Sequence, residues 1–269
     1  MDKRELLDKF AWCECLIWPF IETGYRRPIP SFRYCLATLF SAHNELVNCW
    51  THLLGGLWVI GLLYESSRRL FARGDLAVFC VYLLAAFAVC FFSVGYHLLN
   101  CHSEIVCRQV QCLDWAVISL LIFASNSLSA YFELPSPWFA AFSVANGALM
   151  ILTSWMTVAS LGNGRKCIVV SYAFRTTIYI IYGLGVIVAW LINFALNGAP
   201  NMASVEGILL MYCCYCSILL CLMHLPERIM PAGSVDIVGS SHQIFHVGVI
   251  AGVSVLWRTY FQIALARAP

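Results

Sequence analysis

Two histidines four residues apart, His242 and His246, lie in Ser-Ser-His242-Gln-Ile-Phe-His246-Val, within an apolar run that holds no Asp, Glu, Lys or Arg from Ile237 to Trp257. On a helix this spacing sets both imidazoles on one face, about 6 Å apart along the axis. Imidazoles in an apolar helix of membrane length are costly unless they have a partner. A divalent metal takes two at this spacing most naturally.

Further ligands must then lie at the same depth. His97 follows Ser93 by four residues, so these two also share a helical face. Asp114 is the only charge between Val110 and Phe132. A carboxylate there needs a cation, a hydrogen-bond donor or a functional reason; its plainest reading is a group held by Ser, Asn or Tyr of a neighbouring helix. Taken singly, His97 reads as an interfacial histidine and Ser93 as a packing residue. Together with His242 and His246 they form a pattern. Three imidazoles with an open fourth position are the arrangement of a catalytic zinc centre rather than a structural one. Zn2+ would activate water there, Asp114 would act as base or water-orienting group, and Ser93 would position that water or donate to a developing oxyanion. Acid and metal inside the bilayer edge point to a lipid head group or an amphipathic acyl compound as substrate.

The elements that must position these residues follow from composition. The chain has 269 residues, 61% hydrophobic and 11% charged, with mean hydropathy +0.79. A soluble domain carries roughly 25% charged residues, so this is a membrane protein. Apolar runs long enough to cross a bilayer are read at about 47–64, 76–99, 110–132, 138–161, 173–196, 203–225 and 241–262. The predicted fold class is therefore all-α, a polytopic protein with seven transmembrane helices; a β-barrel, with its strands of about ten residues in alternating polarity, is excluded. Residues 1–48 are expected to form a short cytoplasmic segment whose amphipathic helix, from Ser31 to Asn48, lies on the membrane surface. Residues 49–269 form the seven-helix domain. No signal peptide, soluble tail or internal repeat is read.

Orientation rests on Lys and Arg. With the N-terminus inside, the cytoplasmic segments hold eleven: Lys3, Arg4, Lys9, Arg26, Arg27, Arg33, Arg108, Arg165, Lys166, Arg175 and Arg228, against five outside. This predicts a cytoplasmic N-terminus, opposite to that of G-protein-coupled receptors. All seven histidines then fall near the cytoplasmic face, and the metal site with them. The 14 cysteines avoid the outer loops, so no extracellular disulfide framework is expected. Cys213, Cys214, Cys216 and Cys221 read as packing residues, and Cys13 and Cys15 as acylation positions. His43 and His52 with Asn44, Glu45 and Asn48 read as an interfacial polar network, and Glu227 with Arg228 as a surface turn.

The chain resembles the progestin and adipoQ receptors, the group of adiponectin and membrane progestin receptors related to haemolysin III. The matching stretches are Gly24-Tyr25-Arg26, Ser41-Ala-His43-Asn44-Glu45 with Trp50-Thr51-His52, and Ser93-Val-Gly-Tyr-His97. They continue through Cys101-His102-Ser103-Glu104, Leu113-Asp114-Trp115 and Pro226-Glu227-Arg228 to Ser241-His242-Gln243-Ile244-Phe245-His246. The resemblance implies an inner N-terminus, an intramembrane zinc with His97, His242 and His246 as ligands, and Asp114 with Ser93 as the nearby polar pair. It further implies that sensing of a lipidic, steroid or protein ligand is combined with hydrolysis of the ceramide amide. Two departures stand out: Ala232 is extra between Pro231 and Gly233, and Val235 and Val238 replace the usual aromatics. The long N-terminal cytoplasmic domain of adiponectin receptors is missing from this sequence.

Two functions remain open at this stage. One is a receptor whose zinc hydrolyses a lipid amide. The other is a non-catalytic receptor or membrane-organising protein in which zinc braces helices. Expected partners are membrane lipids, the receptor ligand and further copies of the chain in a homo-oligomer, with no nucleic acid. The expected location is the plasma membrane or the Golgi and ER.

Overall fold

In the computed structural model of the chain, the described residues are 1–267 apart from 11, 13–15, 70–71, 163–171 and 199–201. Cys13, Cys15, Arg165 and Lys166 lie outside them. Every described element is a helix: α1 Lys3–Lys9, α2 Phe32–Ala37, α3 Leu46–Arg69, α4 Arg73–Leu99, α5 Glu104–Glu133, α6 Ser136–Gly162, α7 Tyr172–Gly183, α8 Gly185–Asn197, α9 Met202–Tyr215, α10 Ser217–Met223 and α11 Ser241–Arg267. Seven spans are long and apolar enough to cross a membrane, the fifth and sixth each made of two of these helices in succession. Large apolar side chains such as Leu57, Trp58, Val144 and Ile151 are exposed along them, as lipid contact requires. In its most apolar stretch α4, which carries Ser93 and His97, is 44% buried, against 11% for the fourth span. The site helix is interior and α6 faces lipid.

Two helices run past the limits that apolarity sets, because charged turns pair with themselves. α5 starts at Glu104, where Arg108 Nη2 meets Glu104 Oε1 at 2.7 Å, and α3 ends on the pair Glu65–Arg69 at 3.1 Å. Such i,i+4 pairs sustain helix in water beyond the lipid. The helix expected over 31–48 is interrupted instead. Ser31 accepts from Tyr34 N to cap α2, a 3₁₀ turn follows at Thr38–Phe40, and the chain leaves helical geometry until Leu46.

The chain forms two compact units. The first comprises Met1–Gly55, Cys90–Asp114 and Cys213–Gly252; the second comprises Gly56–Val89, Trp115–Tyr212 and Val253–Pro269. Within the second unit, span five breaks at Leu184. The carbonyls released by that break are taken by side chains: Asn126 Nδ2 donates to Tyr182 O at 3.2 Å and Tyr212 Oη to Gly183 O at 2.7 Å. A Cβ on Gly185 would sit 2.5 Å from Asn126 Cγ, so only glycine admits the amide at this point.

All seven histidines belong to the first unit. Its N-terminal segment is packed in place rather than trailing. Leu6, Leu16, Ile21 and Tyr25 form a buried cluster with Tyr96 of α4 and Cys107 of α5, each aliphatic side chain worth about 1.5–3 kcal/mol when fully buried from water. Asp236 clasps the same segment, accepting from Thr23 N and Thr23 Oγ1, both at 2.7 Å, and from Glu22 N at 3.3 Å.

Candidate metal centre

His97 stands in the last turn of α4, and His242 and His246 in the first two turns of α11. Their register is set by close contacts. Arg26, itself buried, caps the end of α4: Nη2 donates to His97 O and, at 2.7 Å, to Asn100 Oδ1, while Nη1 donates to Leu98 O at 3.0 Å and Thr38 Oγ1 at 2.8 Å. A guanidinium suits a helix C-terminus, where unpaired carbonyls carry the negative end of the dipole. At the start of α11, Glu227 Oε1 accepts from Ser241 N at 2.8 Å and Ser241 Oγ at 2.7 Å. Glu227 is thus a buried cap, not the surface turn expected of a charged residue after proline. Two residues past His246, a Cβ on Gly248 would lie 2.7 Å from Cys214 O and 2.0 Å from Ser217 Oγ, so α11 and the sixth span touch backbone to backbone.

The three imidazoles converge, each offering a ligand atom within 4.8 Å of the others, and they could hold a metal ion. His246 Nε2 and His242 Nε2 are 3.1 Å apart. Zinc at 2.0–2.1 Å in a tetrahedral shell sets nitrogens about 3.3 Å apart, so this pair already has the required separation. The hydrogen bonds behind the rings point lone pairs inward. His97 Nδ1 donates to Glu45 Oε2 at 2.8 Å, which leaves Nε2 as an acceptor, buried and without a hydrogen-bond partner. Thr51 Oγ1 gives its proton to Asn48 O at 3.0 Å, so it accepts from His246 Nδ1 at 3.1 Å, and His246 Nε2 likewise carries a lone pair. A cation between these nitrogens would meet both lone pairs and that of the third imidazole. The donor set fits a metal.

Asp114, half-buried on α5, lies within electrostatic reach of the buried Ser93 and of His97. The five residues singled out from the sequence therefore lie in one unit, three in a ligand cluster and two as neighbouring polar groups. Rings close in around them: Trp18 packs on His242 with centroids 4.6 Å apart, and His52 stacks on His246 at 3.8 Å. Cys221 Sγ is 3.7 Å from His242 Nδ1.

Sequence reasoning missed Glu45, Thr51, Trp18, Cys221 and Arg26 as parts of the site. For Glu45 a signal existed. Glu45, Asn48 and His52 recur at i, i+3 and i+7, one face at the entry to α3, and Asn48 Nδ2 indeed donates to Glu45 Oε2 at 2.5 Å. That network does not stand apart at an interface but leads into the histidines. Burial opposes its charge, yet the N–H of His97 and the Asn48 amide hold the Glu45 carboxyl below the usual carboxylate range. Behind it, His43 accepts from Glu45 N at Nδ1 and faces Thr38 O through Nε2. His43 is neutral: burial, then the Arg26 charge, lower its pKa to about 4.

Residues 40–257 match the haemolysin-III-related family. The chain belongs to that family. It is 32% identical over 260 residues to the adiponectin receptor protein of Drosophila melanogaster, covering 92% of this chain and 57% of the fly protein. It is 31% identical over 260 residues to progestin and adipoQ receptor family member 3 of Homo sapiens, covering 89% and 78%. Membrane progestin receptor alpha of Cynoscion nebulosus is 29% identical over 261 residues, with 87% and 70% covered. The chain thus spans little more than half the length of the fly relative. It is a multi-pass membrane protein of the adiponectin and progestin receptor family, and all three histidines, Asp114, Ser93 and Glu45 fall inside the matched residues, whereas Trp18 and Arg26 precede them.

Proposed function

We propose that this chain is a seven-span receptor in which His97, His242 and His246 hold zinc and Asp114 and Ser93 serve the hydrolysis of a lipid amide such as ceramide. The observation that carries the reading is the convergence of three buried imidazoles, two of them with inward lone pairs, beside Ser93 and Asp114. An all-imidazole donor set suits zinc among the available divalent ions. When bound, zinc supplies Lewis-acid chemistry at the substrate carbonyl. Glu45 keeps the Nδ1 proton of His97 and so fixes its tautomer. The Asp114 carboxylate takes a proton from the attacking water, and Ser93 Oγ orients that carboxylate. The relatives are named for adiponectin and progestin; a lipidic, steroid or protein ligand of that kind is proposed for this chain too. On the positive charges, the N-terminus and the metal are placed at the cytoplasmic face of the plasma membrane or an endomembrane.

One observation favours a second reading. Trp18 packs at a tilt against His242 and His52 stacks on His246, as in a closed structural site, and zinc would then only brace α4 and α11. Metal analysis of purified protein, with hydrolysis of short-chain ceramide measured before and after chelation, tests both. One zinc per chain with chelator-sensitive product supports the hydrolase; zinc retained with no product leaves the brace, and no zinc removes both.

A further inference from the structure

Beside the histidines lies a narrow pocket lined by Trp18, Asn48, Glu227, Asp236, Ser240 and His242. Two oxygens of its lining residues, Glu227 Oε2 and Asn48 Oδ1, are buried without a hydrogen-bond partner. Their side chains are 7% and 3% exposed. A buried acceptor left unpaired costs about 1–3 kcal/mol, and two in one pocket call for a ligand that meets both. Neighbouring polar atoms are engaged: Asp236 with Thr23 and Glu22, Glu227 Oε1 with Ser241, and Asn48 Nδ2 with Glu45.

The two open atoms are both acceptors, one of them anionic, and the pocket also reaches an imidazole of the metal cluster. Oxygen donors of this type bind a divalent cation, and imidazole binds it once its water is shed. The indole of Trp18 covers His242 at 4.6 Å. The backbone bonds of Trp18 are long: its N–H donates to Tyr25 Oη and its carbonyl accepts from Ile21 N, both at 3.3 Å, and the side chain packs beside Leu6, Leu16 and Tyr25.

We propose that this pocket is a loading vestibule for the metal centre, in which Glu227 and Asn48 receive a divalent cation that has shed most of its water and Trp18 gates its passage to His242. The inference rests on the reading that the three histidines hold a metal. Because the second oxygen of Glu227 caps α11, the receiving group is fixed to the helix that carries two of the final ligands.

The test is kinetic. Full-length protein in detergent is stripped with chelator and reloaded with zinc, uptake being followed with a zinc indicator. Glu227→Gln keeps an oxygen for the cap but loses the charge; loading should slow about tenfold, the lower end of what a focused charge gives an on-rate, with unchanged final stoichiometry. Trp18→Ala should speed both loading and chelator-driven release by similar factors and leave the dissociation constant within about threefold. Ser241→Ala removes one cap bond and keeps the carboxylate, so it should load at the parent's rate. Parent-like kinetics in both Glu227→Gln and Trp18→Ala would overturn the vestibule, and so would a Ser241→Ala variant as slow as Glu227→Gln, which would make Glu227 a cap only. A parent that takes up no zinc at all defeats the metal centre itself, a different outcome from metal bound with unaltered rates.

Discussion

Glu45 Oε2 and His97 Nδ1 are 2.8 Å apart, both buried, and the bond joins the loop before the first span to the end of the second. The carboxylate holds the imidazole in the tautomer that turns Nε2 toward the other two histidines. Glu45→Gln keeps an acceptor but loses the charge. Zinc affinity, measured by competition with a chelator, should fall about 10–100-fold. Unchanged affinity would mean that the bond orients nothing.

Asp114→Asn separates the two functional readings. If Asp114 takes a proton in turnover, metal content should stay at the parent's level while ceramide hydrolysis falls by roughly 10²–10⁴-fold. If zinc is a brace, the substitution should lower zinc affinity and thermal stability together, with no product from either protein. Normal zinc and normal turnover would remove Asp114 from both roles.

Gly248→Ala tests the backbone contact that seats α11. The added Cβ would meet Cys214 O at 2.7 Å. Ser217 can rotate away from it, but the carbonyl cannot, so overpacking should cost about 1–3 kcal/mol. A lower thermal midpoint is expected, and Ser217→Gly should not restore it. Full rescue by that second change would show that the hydroxyl alone was in the way.

His43 gives a pH dependence with a definite sign. Its folded pKa, about 4, lies below the ordinary histidine value of 6.5, so the unfolded chain binds the proton first. The stability it contributes is complete above about pH 6.5 and is lost progressively as pH falls toward 4. His43→Gln should therefore lose less thermal stability between pH 7.5 and pH 5 than the parent does. An equal loss would assign the acid sensitivity to other groups.

Much of this was legible without coordinates. Apolar runs gave the seven spans because lipid demands about 20 apolar residues in each, and the four-residue spacings of Ser93–His97 and His242–His246 placed each pair on one face. Glu227 was misread because a charge after proline is ordinarily solvated; its burial follows from the unpaired N–H groups at the start of α11, 14 residues later. The break at Leu184 left a trace in Gly183 and Gly185, but its tolerance depends on Asn126 and Tyr212 from other helices. Trp18 over His242 had no trace at all, since no local periodicity links the two.

The clasp between Thr23 and Asp236 spans 213 residues of chain. A ribosome makes Thr23 before Asp236, which follows the sixth span, so the N-terminal segment can pack on Tyr96 and Cys107 long before this clasp is available. The clasp can close no sooner than the last helix begins to emerge. Assembly of this unit is therefore ordered in time: the segment settles first against the second and third spans, and the fastening beside the histidines waits for the loop that leads into α11.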